Sequence, residues 1–471
     1  MWPVPPQVRP PRQTTTSTDA ADATTALIGD SNGTSPSLAL ADVIDLALRR
    51  NPATRASWMA ARAAADAYGA TRGALWFPSL DANVDGGRSS NASTNGATLG
   101  VGGTPTSSGS LSTNTRSQLT TSASLSYLLF DLGGRSGSIE ESKQRAIAAD
   151  LTHNATVHDV ILQVESTLFS FLATRALRDA QTEAVQDAVA DTAAAAERLR
   201  VGVATLAEVL QARTALAQAR FQLATLEGDL QGAHGNLATA MGLPANAHFD
   251  VGNVAACDTV AKVAASVDSL VNNAIVTRPE VAEVSAEAKS LAASIRVARS
   301  AGYPALTLSS SAGALRSTQN STVPRNYSLF LGIQIPIFNG FGRQYDVRAA
   351  REQYEAGLAR LASTRLEITA QVFAAYTALQ TATERVRAGG DLLTSAQQSA
   401  DVALGRYREG VGTIVDLLLA RTALTTARAE DIQARWEWRT ALAQLAHDTG
   451  LLSASGHADL PLSTNGSNDQ K

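Results

Sequence analysis

Apolar residues recur along this chain with two periods, and together these lay out its elements. In four places the period is two. Leu80, Ala82 and Val84 alternate with Asp81, Asn83 and Asp85, and Ala123, Leu125 and Tyr127 with Ser122, Ser124 and Ser126. Leu306 and Leu308 alternate with Thr307 and Ser309, and Tyr327, Leu329, Leu331, Ile333 and Ile335 with Ser328, Gly332 and Gln334. Such alternation predicts strands with one oily and one wet face, near residues 79–86, 120–130, 304–312 and 326–337. Elsewhere the period is helical. From Thr205 to Met241, residues Val209, Leu216, Leu223, Leu230 and Leu237 stand seven apart, with Ala212, Ala219, Leu226, Ala233 and Ala240 three further on. That is coiled-coil spacing with one small-residue seam. A later segment keeps Ala420, Ala427, Ala434 and Ala441 but places Asp431 in the larger seam. Arg135 to Arg200 and Arg343 to Glu409 are predicted as continuous helices, about 100 Å each at 1.5 Å per residue.

The pattern occurs twice. Arg198-Leu-Arg-Val-Gly202-Val-Ala-Thr205 aligns with Arg406-Tyr-Arg-Glu-Gly410-Val-Gly-Thr413 at a separation of 208 residues. The same separation relates Phe130, Gly134 and Arg135 to Phe338, Gly342 and Arg343, Gln163-Val164 to Gln371-Val372, and Gly242-Leu243 to Gly450-Leu451. It grows to 226 for Phe77-Pro78 against Tyr303-Pro304 and 227 for Asn51-Pro52 against Arg278-Pro279, so the first repeat holds an insertion. Gly, Ser, Thr and Asn dominate that insertion, Gly86 to Thr121, which reads as a solvent-facing loop at a hairpin tip. The organisation expected is a disordered leader (1–37), a first repeat (38–243), a linker (244–265), a second repeat (266–451) and a polar tail (452–471). Each repeat runs helix, strand, loop, strand, very long helix, turn, long helix. Gly202 and Gly410 fit the residue just past a helix end, and Thr205 and Thr413 fit the N-cap of the next helix.

Four strands cannot close a barrel, and an open sheet in lipid leaves edge groups unpaired at several kcal/mol each. Several chains must therefore contribute strands. No run approaches the roughly 18 to 20 consecutive apolar residues of a membrane-spanning helix, so any span is β. Trp76, Phe77, Phe130, Tyr303 and Phe338, with Pro78 and Pro304, gather where helix meets strand, and rings there suit a membrane interface. Residues 1–37 lack the charged-then-apolar pattern of a secretory signal.

Composition removes other readings. Net charge is −4 and no basic block occurs, so the electrostatic footprint of a nucleic-acid binder is missing. Alanine leads the apolar fraction while aromatics make up 5%, a mix suited to closely packed long helices. A single cysteine, Cys257, excludes an intrachain disulfide framework or a four-thiolate site. The histidines (His153, His158, His234, His248, His447, His457) include no i, i+4 pair, and neither a metal nor a cofactor is expected. Gly29-Asp-Ser31-Asn-Gly33 fits the serine-nucleophile elbow but has no strand before it. Gly410-x-Gly412 lacks the third glycine of a dinucleotide loop, and no enzyme is expected. A coiled-coil scaffold or surface stalk would explain the heptads, but not the amphipathic strands, the aromatic junctions or the duplication.

Taken together, Leu38 to Leu451 resembles the TolC-like outer-membrane efflux family. The likeness is most specific in Leu129-Phe-Asp-Leu-Gly-Gly-Arg135 and Ile337-Phe-Asn-Gly-Phe-Gly-Arg343, and in the hairpins around Gly202 and Gly410. It implies a mainly α fold with a small β part: a homotrimer whose chains each give four strands to a twelve-stranded transmembrane β-barrel and long helices to a periplasmic α-barrel. The function implied is a passive exit duct of a tripartite efflux or type I secretion system. It would lie in outer-membrane lipid, reach into the periplasm, and serve an inner-membrane pump through a membrane-fusion adaptor. By the same resemblance, Gly202, Val203, Thr205, Gly410, Val411 and Thr413 are adaptor-contacting tips. Tyr407 and Glu208 match a closing hydrogen bond between hairpins, and Asp416 a carboxylate ring that would attract cations. Gly412 stands where an arginine is usual and Leu419 where a second acidic ring is usual, so a less firmly latched closed state is expected.

Overall fold

The computed structural model of the chain describes residues 38–95, 110–252, 262–263, 266–317, 323–452 and 462–463. The leader with its Ser31 motif, the middle of the insertion, Cys257, His457 and most of the tail lie outside them. The first repeat forms α1 (Leu40–Arg50), α2 (Pro52–Trp76), β1 (Ser79–Asn95), β2 (Ser110–Phe130), α3 (Gly134–Arg200) and α4 (Leu206–Ala240). After β3 (Lys262–Val263), the second forms α5 (Val267–Thr277), α6 (Pro279–Ser300), β4 (Ala305–Ser317), β5 (Arg325–Gln334), α7 (Gly342–Arg408) and α8 (Ile414–Asp448). A last short strand, β6 (Leu462–Ser463), pairs antiparallel with β3, joining linker to tail.

Four boundaries differ from the sequence expectation, each for a physical reason; β4 runs on from 312 to Ser317 because its main chain continues to pair with β2 as far as Gln118. The insertion is not a loop throughout, because β1 runs on to Asn95 and pairs residue by residue with β2 back to Ser110. Main-chain bonding in an antiparallel pair needs no apolar face, so a Ser/Thr/Asn stretch can extend a hairpin that hydropathy leaves invisible. β5 stops at Gln334, short of 337, since Pro336 has no N–H to give. The opening helix of each repeat is two helices, broken at Asn51 (ψ 124°) and Arg278 (ψ 129°), where a following proline disfavours the helical conformation.

The chain divides into two compact units, each drawn from both repeats, so the sequence repeat is not a spatial unit. One holds residues up to Met59, Leu151–Ala282 and Ser363 onward; the other holds Ala60–Asp150 and Glu283–Ala362.

The second unit carries an antiparallel sheet in the order β1-β2-β4-β5. Its register aligns the two faces across all four strands. Leu80, Leu125, Ser310 and Leu329 form one row, and Ala82, Ala123, Ala312 and Tyr327 the next. Between them, on the other face, runs Asp81, Ser124, Ser311 and Ser328. One face is thus mainly apolar, with Ser310 among its residues, and the other hydroxyl-rich, with Leu128, Leu315 and Phe330 among its residues. The apolar face is bare in one chain: Tyr327 is 91% and Leu80 73% exposed. Among the described residues, β1 and β5 each have only one strand partner.

The first unit is helical. One 18-residue window of α3 is apolar enough by composition to cross a membrane, although it is not a continuous apolar run. Its Val160, Ile161, Val164, Leu168 and Leu172 are buried against protein. Beside them sits a buried charged network. Arg278 bonds Glu280 (2.7 Å) and Gln371 (2.6 Å), while the His447 ring faces Asp448 (2.9 Å) and Asp159 (3.1 Å). Burial disfavours the imidazolium, but the Asp159 and Asp448 hydrogen bonds outweigh it and carry His447 up to about 9.

Candidate functional site

The hairpin tips are built by paired capping devices. Gly202 (φ +81°) and Gly410 (φ +79°) take the left-handed conformation that ends α3 and α7. The N–H of Val203 bonds Arg198 O and that of Gly202 bonds Leu199 O; Val411 and Gly410 repeat this with Arg406 and Tyr407. This is the Schellman arrangement, which satisfies the last carbonyls of a helix and favours glycine because no Cβ then clashes. Thr205 and Thr413 follow as N-caps, each closing a capping box with the acidic residue three positions on, Glu208 and Asp416. Val203 and Val411 project outward and are exposed.

The aperture residues are placed as follows. Asp416 is exposed, beside exposed Val415 and Leu419. The Thr413 hydroxyl (2.8 Å) and backbone N–H hold its carboxyl below the usual range. Tyr407 is 2% exposed, packed against Ile414 and Leu417, and its hydroxyl has no hydrogen-bond partner. Burial pushes its phenol up, against the influence of Arg198. Glu208 bonds Thr205 rather than Tyr407. The two residues lie on neighbouring hairpins, but in one chain they are not joined.

What does join the hairpins is a set of arginines that sequence reasoning did not assign. Arg198, on the last turn of α3, donates to Tyr407 O at 2.8 Å with its guanidinium 4.8 Å from the Tyr407 ring centre. Arg421 on α8 bonds Asp187 (2.7 Å) and Asp191 (3.3 Å) on α3, and Arg428 bonds Glu183 (3.3 Å). Burial raises the buried Asp191 carboxyl, with Arg421 pulling the other way. The available signal was Asp187 and Asp191 at i, i+4, two carboxylates on one helical face. The arginine missing at Gly412 also has a local reason. A Cβ there would lie 3.0 Å from Arg406 Cβ and 3.2 Å from Tyr407 N, so the turn admits only glycine without a shift.

In the other unit the aromatic residues mark the strand-to-helix turns. Arg135 donates to the carbonyls of Leu128 (2.8 Å), Leu129 (2.7 Å) and Leu75 (3.3 Å), with its guanidinium 5.6 Å from the Trp76 ring centre. Arg343 caps Pro336 O at 2.7 Å in the equivalent turn. These bonds explain the duplicated terminal arginine. Left-handed Leu132 (φ 52°) and Phe341 (φ 65°) strain both turns, at of order 1 kcal/mol each. Phe77, Phe130, Tyr303 and Phe338 are all more than half exposed.

The chain thus has duplicated long helical hairpins in one unit and, in the other, a sheet with one bare apolar face and, among the described residues, two open edges. The chain belongs to the outer membrane efflux protein family, whose pattern matches residues 43–243 and 270–451. It is similar to Protein CyaE of Bordetella pertussis, 28% identical over 416 residues, covering 87% of this chain and 83% of that protein. It is also 24% identical over 344 residues to the probable efflux pump outer membrane protein TtgC of Pseudomonas putida, covering 72% of this chain and 69% of that protein. Among solved structures, the Campylobacter jejuni CmeC outer membrane channel superposes with a TM-score of 0.72 at 18% identity, covering 92% of each chain. The protein is thus an outer-membrane efflux channel. Its family and fold are those of channels rather than enzymes.

Proposed function

We propose that three copies close one twelve-stranded barrel and form a passive duct, without catalysis, for an inner-membrane pump and a periplasmic adaptor. The observation that carries this reading is the sheet: four strands with an aligned apolar face and, among the described residues, both edges unpaired, which lipid does not tolerate alone. Closure needs further strands, and copies of the same chain supply them with matching faces. Gly202, Val203, Thr205, Gly410, Val411 and Thr413 are the surface offered to the adaptor, with the exposed valines as its apolar contacts. Tyr407, Glu208 and Asp416 form the aperture, the three Asp416 carboxylates setting a preference for cations.

The test is single-channel recording of detergent-purified protein in a planar bilayer. Stable cation-preferring pores are expected, with the preference falling in Asp416→Asn. Confirmed trimers that form no pores would favour a scaffold. A hydroxyl–carboxylate link in the assembled aperture predicts higher conductance in both Tyr407→Phe and Glu208→Gln. Should Tyr407→Phe be silent while Arg198→Ala opens the pore, the ring–guanidinium contact is the closure and Glu208 is only a cap.

A further inference from the structure

The apolar face of the sheet changes character with distance from the helices. Its rows nearest the strand-to-helix turns hold Leu306 and Ile333, then Tyr127, Leu308 and Leu331. Two rows later come Ala82, Ala123, Ala312 and Tyr327. The next row, Val84, Thr121 and Ala314, ends on β5 in Arg325. One row further, Gly86 and Leu119 stand beside Arg316 of β4, and beyond them Arg88 of β1 pairs with Ser117. Three guanidinium groups thus fall in three successive rows, all at the end of the face away from the helices, and no carboxylate stands in any of these rows.

The hydroxyl-rich face has an arginine at this level too, but Arg116 donates to Ser317 Oγ at 3.0 Å. Arg88, Arg316 and Arg325 are exposed and make no ion pair or side-chain hydrogen bond among the described residues. Nor is their surface simply wet: Leu119, in the row of Arg316, is 44% exposed, and Tyr327, one row from Arg325, is 91% exposed. Cationic heads among bare apolar side chains suit neither hydrocarbon nor bulk water alone. The cost of a charge on a lipid-facing strand is high at mid-depth and small at the interface, where long side chains reach the headgroups. The depth agrees. Ile333 to Arg325 is eight residues of β5, about 27 Å along the strand and about 21 Å of rise at a tilt of about 40°, against an apolar band about 25 Å tall.

We propose that Arg88, Arg316 and Arg325 bind the phosphate groups of lipid headgroups in the leaflet farther from the helices. Arginine holds a phosphate through two parallel N–H···O bonds. Arg316 and Arg325 are diagonal neighbours on paired strands, about 7–8 Å apart, close enough to share one headgroup. Arg88 carries the patch to the other edge strand, and Leu119 and Tyr327 lie against the upper acyl chains. The inference rests on the membrane-spanning duct proposed above and adds to it a lipid class, one with an accessible anionic phosphate.

The experiment uses the full chain, purified in neutral detergent and mixed with equal concentrations of phosphatidic acid and phosphatidylcholine, whose own cation neutralises its phosphate. Native mass spectrometry counts the lipids retained. Unmodified protein should hold phosphatidic acid in preference. The chain carrying Arg88→Gln, Arg316→Gln and Arg325→Gln should lose that preference several-fold, with assembly and phosphatidylcholine retention unchanged. Arg116→Gln, on the opposite face, should behave as unmodified protein. Equal retention by the triple variant, or an equal loss in Arg116→Gln, overturns the patch and leaves the duct standing. Displacement of phosphatidic acid by millimolar inorganic phosphate makes the ligand a free anion and overturns the lipid assignment. Unmodified protein that forms no pores in a planar bilayer overturns the duct itself, whatever lipid it holds.

Discussion

Leu206 and Ile414 hold the same position, the first residue of the returning helix in each hairpin, yet Leu206 is 61% exposed and Ile414 only 2%. The contrast extends along the tip. Leu210 is exposed while its counterpart Leu418 packs onto the cluster of Tyr407, Ile414 and Leu417, and the half-buried Leu199 stands where the second tip buries Tyr407. Both tips share the same Schellman ending, threonine cap and capping box. Duplication has copied the backbone instructions, which are local, while burial is decided by neighbours, which differ. The second tip lies under Arg198 of the first, and among the described residues no hydrogen bond or ring contact returns it.

The largest effect should come from removing what makes the second tip different. Tyr407→Ala takes out a fully buried ring and should cost about 3–5 kcal/mol, read as a lower thermal midpoint of unfolding. Leu199→Ala should cost clearly less. Equal losses would show that the tips do not differ energetically. Within one chain the Tyr407 hydroxyl has no partner, so Tyr407→Phe should be neutral or slightly stabilising in the dissociated chain, and a loss confined to the assembled protein would report the proposed link to Glu208.

Next in size is the response to pH. His447 is raised in the folded chain to about 9 from 6.5. Its contribution, about 3 kcal/mol by linkage, is therefore fully present below pH 6.5 and is lost as pH rises through 9. The thermal midpoint should fall across that window and flatten in His447→Gln. The first repeat has Thr239 at this position and contributes no such titration.

Arg421→Ala would strand the buried Asp191, and should cost about 2 kcal/mol. Arg421→Lys should recover little, since separate guanidinium nitrogens serve the two carboxylates. Smallest, at about 1 kcal/mol each, are Thr205→Ala and Thr413→Ala. These two losses should match, because the caps are what the tips share. A clear difference in chemical-denaturation midpoints would mean that the tips also differ locally.

The sequence discloses the local rules and conceals what depends on partners. The long helices, their ends at Gly202 and Gly410, the caps at Thr205 and Thr413 and the alternating strands rest on neighbours a few residues away, and periodicity shows them. The polar extension of the β1–β2 pair has no hydropathy signal, because its stability lies in main-chain bonds. Arg198, Arg421 and Arg428 pair with side chains about a repeat away, and no local pattern announces such partners. The duplicated Arg135 and Arg343 were visible as a motif, but their work of capping strand and helix carbonyls is legible only in three dimensions. Asp431, a break in the heptad seam, proves to be buried and bonded to Arg435 at 2.8 Å.

The two open edges of the sheet bear on kinetics as well as on architecture. In the proposed trimer, a strand set that completes its main-chain pairing beside other copies would have no stable membrane-embedded monomer to pass through. Insertion and association then become a single step, and its rate should climb faster than linearly with chain concentration. Diluting the chains, or supplying one whose β5 edge is blocked by proline, should stall membrane entry itself rather than yield half-built pores.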